Sequence, residues 1–297
     1  MIQNSKAYKI FTVFDYILVT LLAVICFLPI LNVFAISFSD RTANAAGMVT
    51  FYPVNFTTAA YEYVMKDVGF LKALMVSLLR VILGGFLNLA LTVLCAYPLS
   101  KDSRVLKGRV VYVWFFLFAT LFGGGLVPTY MVVKGTGVMN TIWSLILPGA
   151  VPVFHVILMV NFFRGIPREL EEAGLIDGAG HLQILWKIYI PLSKASIATV
   201  TLFSVVNHWN SWFEGMIYIN DTAKQPLATF LRSRVITSSL DTVMSTSDVE
   251  TLKQMMTLSD QSTMAAQVFL GMLPILCVYP FVQKYFTRGV TVGSVKG

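Results

Sequence analysis

The sequence predicts an all-α polytopic membrane protein with six transmembrane helices, and three observations carry that prediction. Charged residues make up only 12% of the chain and hydrophobic ones 56%, whereas a soluble domain carries about 25% charged residues. Mean hydropathy is +0.73, and the apolar surplus lies in runs long enough to cross a bilayer, for which about 20 helical residues suffice. No run alternates apolar and polar residues over about ten positions, as a transmembrane β-strand would. Helices are then the way left to satisfy backbone groups in lipid.

The runs fall near 14–37, 74–98, 110–132, 142–162, 196–219 and 264–285. The first follows Lys6 and Lys9 and continues from Phe14 to about Ile36, with Pro29 inside it. A cleaved signal peptide has an apolar stretch of only about 7–15 residues, so this run reads as a retained span with Asp15 near its inner end. The second span carries Arg80. The third contains Gly123-Gly124-Gly125 before Pro128. No Lys-Ser/Thr follows, so the glycines are not a phosphate-binding loop, and they predict a kink or close helix packing. The fourth contains His155. The fifth is the most polar, with Asn207, His208, Trp209, Asn210, Trp212, Phe213 and Glu214 close together. The sixth ends near Lys284.

Six spans put both termini on one side, and Lys and Arg gather on the cytoplasmic side. With cytoplasmic termini, the inner segments hold Lys6, Lys9, Lys101, Arg104, Lys107, Arg109, Arg164, Arg168, Lys187, Lys194, Lys284, Arg288 and Lys296, thirteen of the 22 Lys and Arg. Eight fall in the outer segments and Arg80 lies within a span. The densest cluster, Lys101 to Arg109, sets the orientation. The expected organisation is a cytoplasmic N-terminus (1–13), a first span with an outer loop (14–68), a transmembrane core (69–285) with a cytoplasmic loop at 163–192, and a cytoplasmic tail (286–297).

Two outer segments are long. Phe38 to Gly69 follows the first span. Asn220 to Thr263 is rich in Ser, Thr and Asp, with a helix-like stretch from Asp248 to Leu258. Their composition leaves disorder and a structured contact for an external partner equally open. The net charge of +7 is spread between apolar runs rather than clustered on one face, so no nucleic-acid partner is expected. Cys26, Cys95 and Cys277 stand alone in apolar runs, which excludes a ligand spacing for a metal. No paired carboxylate, His-Glu-x-x-His or nucleophile motif appears in the spans, so no catalytic residue is assigned.

The inner loop is the most informative segment. From Pro167 to Pro191 it is a polar, helix-forming insert between two apolar runs. Carboxylates at Glu169, Glu171 and Glu172 suit the positive end of a helix beginning at Pro167. Ile166, Leu170 and Ala173 recur at helical spacing, and Gly178 and Gly180 interrupt the helix. A second short helix, Leu182 to Tyr189, is expected to end before Pro191. Small residues at Ala173, Gly174, Gly178 and Ala179 would let such a pair enter a cleft.

The spacing of this loop resembles the EAA loop of the membrane subunits of bacterial ABC importers. It reads Glu172-Ala173-Gly174, three residues, Gly178, nine residues, Ile188, one residue, Ile190-Pro191. Asp177-Gly178-Ala179 matches a triplet common in sugar-importer permeases, while Gly174 replaces the usual Ala and Ile190 the usual Leu. Further stretches are similar to carbohydrate-importer permeases of the maltose and oligosaccharide type: Gly123 to Tyr130, His208 to Phe213, Leu273 to Ile275, Lys284 to Phe286, and Val295 to Gly297. The resemblance implies the ABC-importer transmembrane fold and a multi-pass subunit of the bacterial inner membrane. It assigns coupling to an ATPase to Glu172, Ala173, Gly174, Asp177, Gly178, Ala179, Ile188 and Pro191, with Glu172 accepting a basic partner. It implies a homologous second permease, two ATP-binding subunits that hold ATP and Mg, and an extracytoplasmic sugar-binding protein that delivers an oligosaccharide. It also implies that the tail from Arg288 reaches the ATPase interface. This chain itself would bind no cofactor, and membrane lipid would surround it.

The chemistry of the fifth span is a separate argument. Sugars stack on aromatic rings and pair hydroxyls with amides and carboxylates, so Asn207, Trp209, Asn210, Trp212, Phe213 and Glu214 are candidates for a sugar path, together with Arg80. Intramembrane polar residues face a cavity or bundle interior, but Trp also anchors spans at the interface, and both readings stand. His208 reads as a packing residue. Arg80 has three readings: snorkelling outward, pairing with Glu214, or lining the path. The alternatives to a sugar importer are an importer permease for another solute and a secondary transporter or channel.

Overall fold

The structure, a computed structural model, describes residues 6–244, 261–278 and 280. Helices α1 (Lys6–Ser37), α2 (Arg41–Ala45), α3 (Ala59–Lys66) and α4 (Val68–Ser100) come first. Next are α5 (Arg109–Leu121), α6 (Leu126–Gly135), two single 3₁₀ turns (Ile142–Leu145 and Leu147–Gly149) and α7 (Val153–Arg164). The inner loop forms α8 (Arg168–Ile176), α9 (His181–Ile184), a π-helical turn (Leu185–Tyr189) and α10 (Ile190–Leu192). Last are α11 (Lys194–Asn210), α12 (Phe213–Tyr218), α13 (Leu227–Met244) and α14 (Gln261–Val278). The described residues contain no strand.

Three helices are long and apolar enough to span a membrane unbroken, α1, α4 and α14. Up to three further spans come from sharply bent helix pairs: α5 with α6 at 114°, Ile142–Gly149 with α7 at 51°, and α11 with His181–Leu192 of the inner loop at 85°. The predicted third span is therefore broken at the glycine run. Gly125 has φ +81° and ψ 177°, a backbone region open essentially to glycine alone. A Cβ on Gly123 or Gly125 would meet no atom within 4 Å, so the run serves the bend and not close packing. The predicted fifth span, 196–219, is also interrupted: α11 stops at Asn210 and α12 begins at Phe213.

The described residues fall into two compact units, drawn from Met1–Phe70 with Ser233–Leu273 and from Leu71–Arg232 with Pro274–Gly297. In the first, the apolar side chains of α1 between Ile10 and Phe27 are largely exposed, the surface expected of a helix that faces lipid or another chain. The first outer segment is ordered. Asp40 caps α2 through Thr42. Buried Asn44 donates to Ile36 O (3.0 Å) and to Ser262 Oγ (2.6 Å). Asp67 pairs with Arg234 at 3.1 Å and accepts from Gln267. Part of the second outer segment is helical in α13, whereas Asp248 to Leu258 lies outside the described residues.

The second unit carries the core. Val93, Ala96 and Leu99 of α4 pack with Val156, Met159 and Phe163 of α7, Val200 of α11, and Ile184, Leu185 and Tyr189 of the inner loop. The loop thus contributes its own side chains to the core of the unit and is anchored by burial at three positions.

Candidate functional site

The inner loop is two short helices joined by a glycine turn. Pro167 stands just ahead of α8, at the N-cap position, one residue earlier than expected. Glu169 and Glu171 lie in the first turn of α8, where carboxylates offset the partial positive charge of the unbonded N–H groups. The helix ends in a Schellman arrangement: Gly178 N–H donates to Leu175 O (3.0 Å) and Ala179 N–H to Gly174 O (2.9 Å). Gly178 occupies the left-handed position, φ +79°, as its predicted role as a helix breaker requires. Gly180 N–H then donates to Gln183 Oε1 (3.3 Å) at the start of α9.

One expectation is overturned. The second helix does not stop before Pro191 but runs through it to Leu192. The π turn at Leu185–Tyr189 is the physical reason: the wider turn changes the bonding pattern just upstream of the proline, which lacks an N–H and crowds the preceding turn.

The two helices pack closely because Gly174 has no side chain. A Cβ there would lie 3.2 Å from Ile188 Cδ1 and 3.4 Å from Ile184 Cγ1. With Gly174 facing α9, the opposite face of α8 turns outward. Leu170, Glu172, Ala173, Ile176 and Asp177 are exposed, as are Leu182 and Trp186 on the second helix. Ile176, 86% exposed, is the most open of the large apolar residues among those described. Neighbouring carboxylates are divided: Glu172 is exposed and Glu171 is largely buried.

Glu171 is the pin between loop and bundle. Lys101, the first residue beyond α4, reaches Glu171 Oε2 at 2.7 Å and donates to Tyr189 Oη at 2.8 Å. Tyr189 Oη donates in turn to Glu171 Oε2 at 2.7 Å. The ammonium also sits 4.0 Å from the ring centroids of both Tyr97 and Tyr189, whose π faces attract a cation. Desolvation alone would raise the Glu171 carboxyl, but hydrogen bonds from Lys101 and Tyr189 outweigh it and hold the pKa below the usual value. Burial lowers the Lys101 ammonium against the opposing pull of Glu171. A cavity of about 520 Å³ opens beside the pair, bordered by Asp102, Arg109, Arg164, Arg168 and Glu172, so the pair keeps contact with solvent. Arg168 bridges to Asp102 at 2.6 Å on the rim.

Lys101, Tyr97 and Tyr189 were not among the candidate site residues read from sequence. The available signal was the spacing of Tyr97 and Lys101, four apart at the polar end of an apolar helix, where an aromatic ring and a cation share one face.

The polar cluster of the fifth span divides into a packed set and an exposed set. Arg80, 2% exposed, donates to Ser211 O (2.9 Å) and Leu145 O (3.1 Å) and lies 3.6 Å from Glu214 Oε2. Ser211 Oγ also donates to Glu214. Of the three readings of Arg80, this arrangement is pairing with Glu214. Trp212 O accepts from Thr229 Oγ1 (2.7 Å), so both residues of the break between α11 and α12 have carbonyls satisfied by side chains. His208 is buried against Gly84. With the Asn88 amide assigned by its hydrogen-bonding neighbours, His208 Nε2 donates to the Asn88 oxygen (3.3 Å) and the Asn88 nitrogen donates to Gly84 O and Ala150 O. Trp209 is buried, whereas Asn207, Asn210, Trp212 and Phe213 are exposed. Asn207 and Asn210, three apart, share one face of α11. Trp212 and Phe213 meet edge to face at 5.7 Å, and Arg232 lies 5.2 Å from the Trp212 ring.

Among the described residues, no group of three or more His, Cys, Asp or Glu is placed to hold a metal ion. The tail from Arg288 to Gly297 lies outside the described residues.

No family model matches the chain. Individual relatives do. It is 40% identical to Protein LplC of Bacillus subtilis (strain 168), over 99% of this chain and 98% of that protein. It is 37% identical to the polygalacturonan/rhamnogalacturonan transport system permease protein YtcP of the same organism, over 97% of this chain and 99% of that protein. Among solved structures it is similar to a bacterial ABC transporter involved in the import of the acidic polysaccharide alginate. That likeness has a TM-score of 0.83 and 30% identity, over 95% of this chain and 98% of that one.

Proposed function

The chain belongs to the permease subunits of carbohydrate ABC importers, and from that premise we propose that it forms half of an oligosaccharide pathway and couples it to a separate ATPase. The observation that carries this reading is the division of labour in the inner loop. Its inward face is pinned to α4 by Lys101, Glu171 and Tyr189, and its outward face offers Ala173, Ile176 and Glu172 to a partner. A rigid two-helix insert with one face anchored and one free can pass rigid-body motion between subunits.

In this account Glu172 receives a basic group from the ATPase, and Gly178 with Ala179 lets the turn enter its cleft. The partner chains are a homologous second permease, two ATPase subunits that carry ATP and Mg, and an external sugar-binding protein. Both termini lie in the cytoplasm, as the thirteen inner Lys and Arg support. Asn207, Asn210, Trp212 and Phe213 contribute amide and aromatic groups to the sugar path. Buried Arg80, paired with half-exposed Glu214, holds the break that presents them. Uronate oligosaccharides are the first substrates to test, because the YtcP relative and the alginate importer both handle acidic polymers.

The test is uptake in cells deleted for this chain and complemented with it. Wild type should restore uptake of an oligosaccharide, and Glu172→Arg, inserted in the membrane at equal level, should abolish it. Full uptake by the Glu172→Arg cells would remove the loop from the mechanism.

A further inference from the structure

We propose that the groove between α5 and α7, at the end of the bundle that carries the inner loop, binds an anionic phospholipid with its phosphate between Arg109 and Arg164. The two arginines come from different helices and converge on one acceptor. Arg109 Nε donates to Leu99 O at 2.9 Å, and Arg164 Nη2 reaches the same oxygen at 3.5 Å. The donor nitrogens therefore lie on the order of 6 Å apart or less, a separation at which like charges repel near a protein surface. One carbonyl dipole cannot neutralise two guanidiniums.

No ion pair among the described residues involves either arginine. The carboxylates on the adjoining cavity do not pair with them: Asp102 pairs with Arg168, Glu171 with Lys101, and exposed Glu172, which borders the same cavity, forms no ion pair with either arginine. Guanidiniums in this arrangement suit a phosphate diester, which accepts two charge-assisted hydrogen bonds on separate oxygens.

The second observation is the groove itself. From the arginine pair a cleft of about 240 Å³ continues between the helices, walled by Val113, Phe116 and Leu117 of α5 and by Val156 and Val160 of α7. A free phosphate would leave these walls uncovered, whereas an acyl chain fills them while its headgroup meets the cations. Basic pockets between spans on the cytoplasmic side are where anionic headgroups bind. The assignment to the cytoplasmic leaflet rests on the importer reading above; the site itself does not.

The experiment is native mass spectrometry of the full chain, with whatever subunits co-purify, in detergent holding equal amounts of phosphatidylglycerol and phosphatidylcholine. Wild type should retain phosphatidylglycerol about tenfold over phosphatidylcholine, as two basic groups near an anionic headgroup allow. Arg109→Gln/Arg164→Gln should lose that preference. Val160→Trp, which blocks the groove and keeps both arginines, should lose the bound lipid. Equal retention of the two lipids by wild type would overturn the proposal, as would an unchanged preference in either variant. Displacement of the lipid by millimolar inorganic phosphate would identify a phosphate site instead. Retention only after removal of a second permease would make the groove a subunit interface. Protease access to Lys101–Arg109 in sealed vesicles reads the orientation separately, so an outward-facing loop would sink the importer reading while leaving the lipid result intact.

Discussion

Replacing Lys101 by Met should loosen the inner loop from α4 while leaving the bundle folded. The substitution removes a charge-assisted hydrogen bond to Glu171, worth about 1.5–3 kcal/mol, and two cation–π contacts of about 0.5–1 kcal/mol each. Two effects offset the loss. Met retains an apolar stem against Tyr97 and Tyr189, and the cavity beside Glu171 lets water reach the orphaned carboxylate. The 3–5 kcal/mol expected for stranding a fully buried charge is therefore not reached. A net loss of about 2 kcal/mol follows, about 30-fold in the equilibrium between docked and undocked loop. Hydrogen exchange of the loop amides reads that equilibrium directly when reclosing is fast. The N–H groups of Ala179 and Ile184, which bond Gly174 O and Gly180 O, should exchange about 30-fold faster in the variant. The double change Lys101→Met/Glu171→Leu should recover most of the protection, because an apolar pair can replace a buried ion pair. Exchange within about threefold of wild type in Lys101→Met would refute the assignment of the loop's anchorage to this pair.

Other changes give graded outcomes. Gly178→Ala forces a side chain into φ +79° and should cost about 1 kcal/mol, seen as faster exchange at the end of α8. Gly174→Ala should stay within about 1 kcal/mol of wild type, since the helix-propensity gain opposes a contact that Ile188 Cδ1 can yield; Gly174→Leu should wedge the two helices apart and uncouple uptake. Gly84→Ala would place a Cβ 2.5 Å from His208 Nε2 and should lose about 1–3 kcal/mol by overpacking, with partial recovery of thermal stability in Gly84→Ala/His208→Ala. The Glu171 carboxyl is depressed in the folded chain, so its stabilisation is present above the unfolded value of about 4.3 and disappears as pH falls through the lower folded value. Loop protection, corrected for intrinsic exchange rates, should hold from pH 7 to about 5 and then collapse in stronger acid.

What the sequence made legible was set by strong local signals. The polar insert stands out because apolar runs flank it, and Gly178 reads as a break because a left-handed position calls for glycine. The glycine run at Gly123–Gly125 left a kink and close packing open, and the bend is the first of these. Features held by distant partners were not. The break at Ser211–Trp212 contains neither Gly nor Pro, and its carbonyls are taken by Arg80 and Thr229 from other helices. Glu171 and Glu172 are adjacent and chemically alike, yet a helix turns successive residues by about 100°, so only packing decides which is the anchor and which is exposed. Pro191 misled because the rule for residues before proline assumes an ordinary α-helical turn, and the π turn at Leu185–Tyr189 changes that premise.

The most direct test of the account is a mild detergent purification of this chain from its own cells, with the amount of every co-purifying protein determined. Coupling through the inner loop predicts one homologous permease and an ATPase subunit at about twice the amount of this chain, with the ATPase lost in Glu172→Arg. Recovery of the chain alone, or as a homo-oligomer without an ATPase, would contradict it.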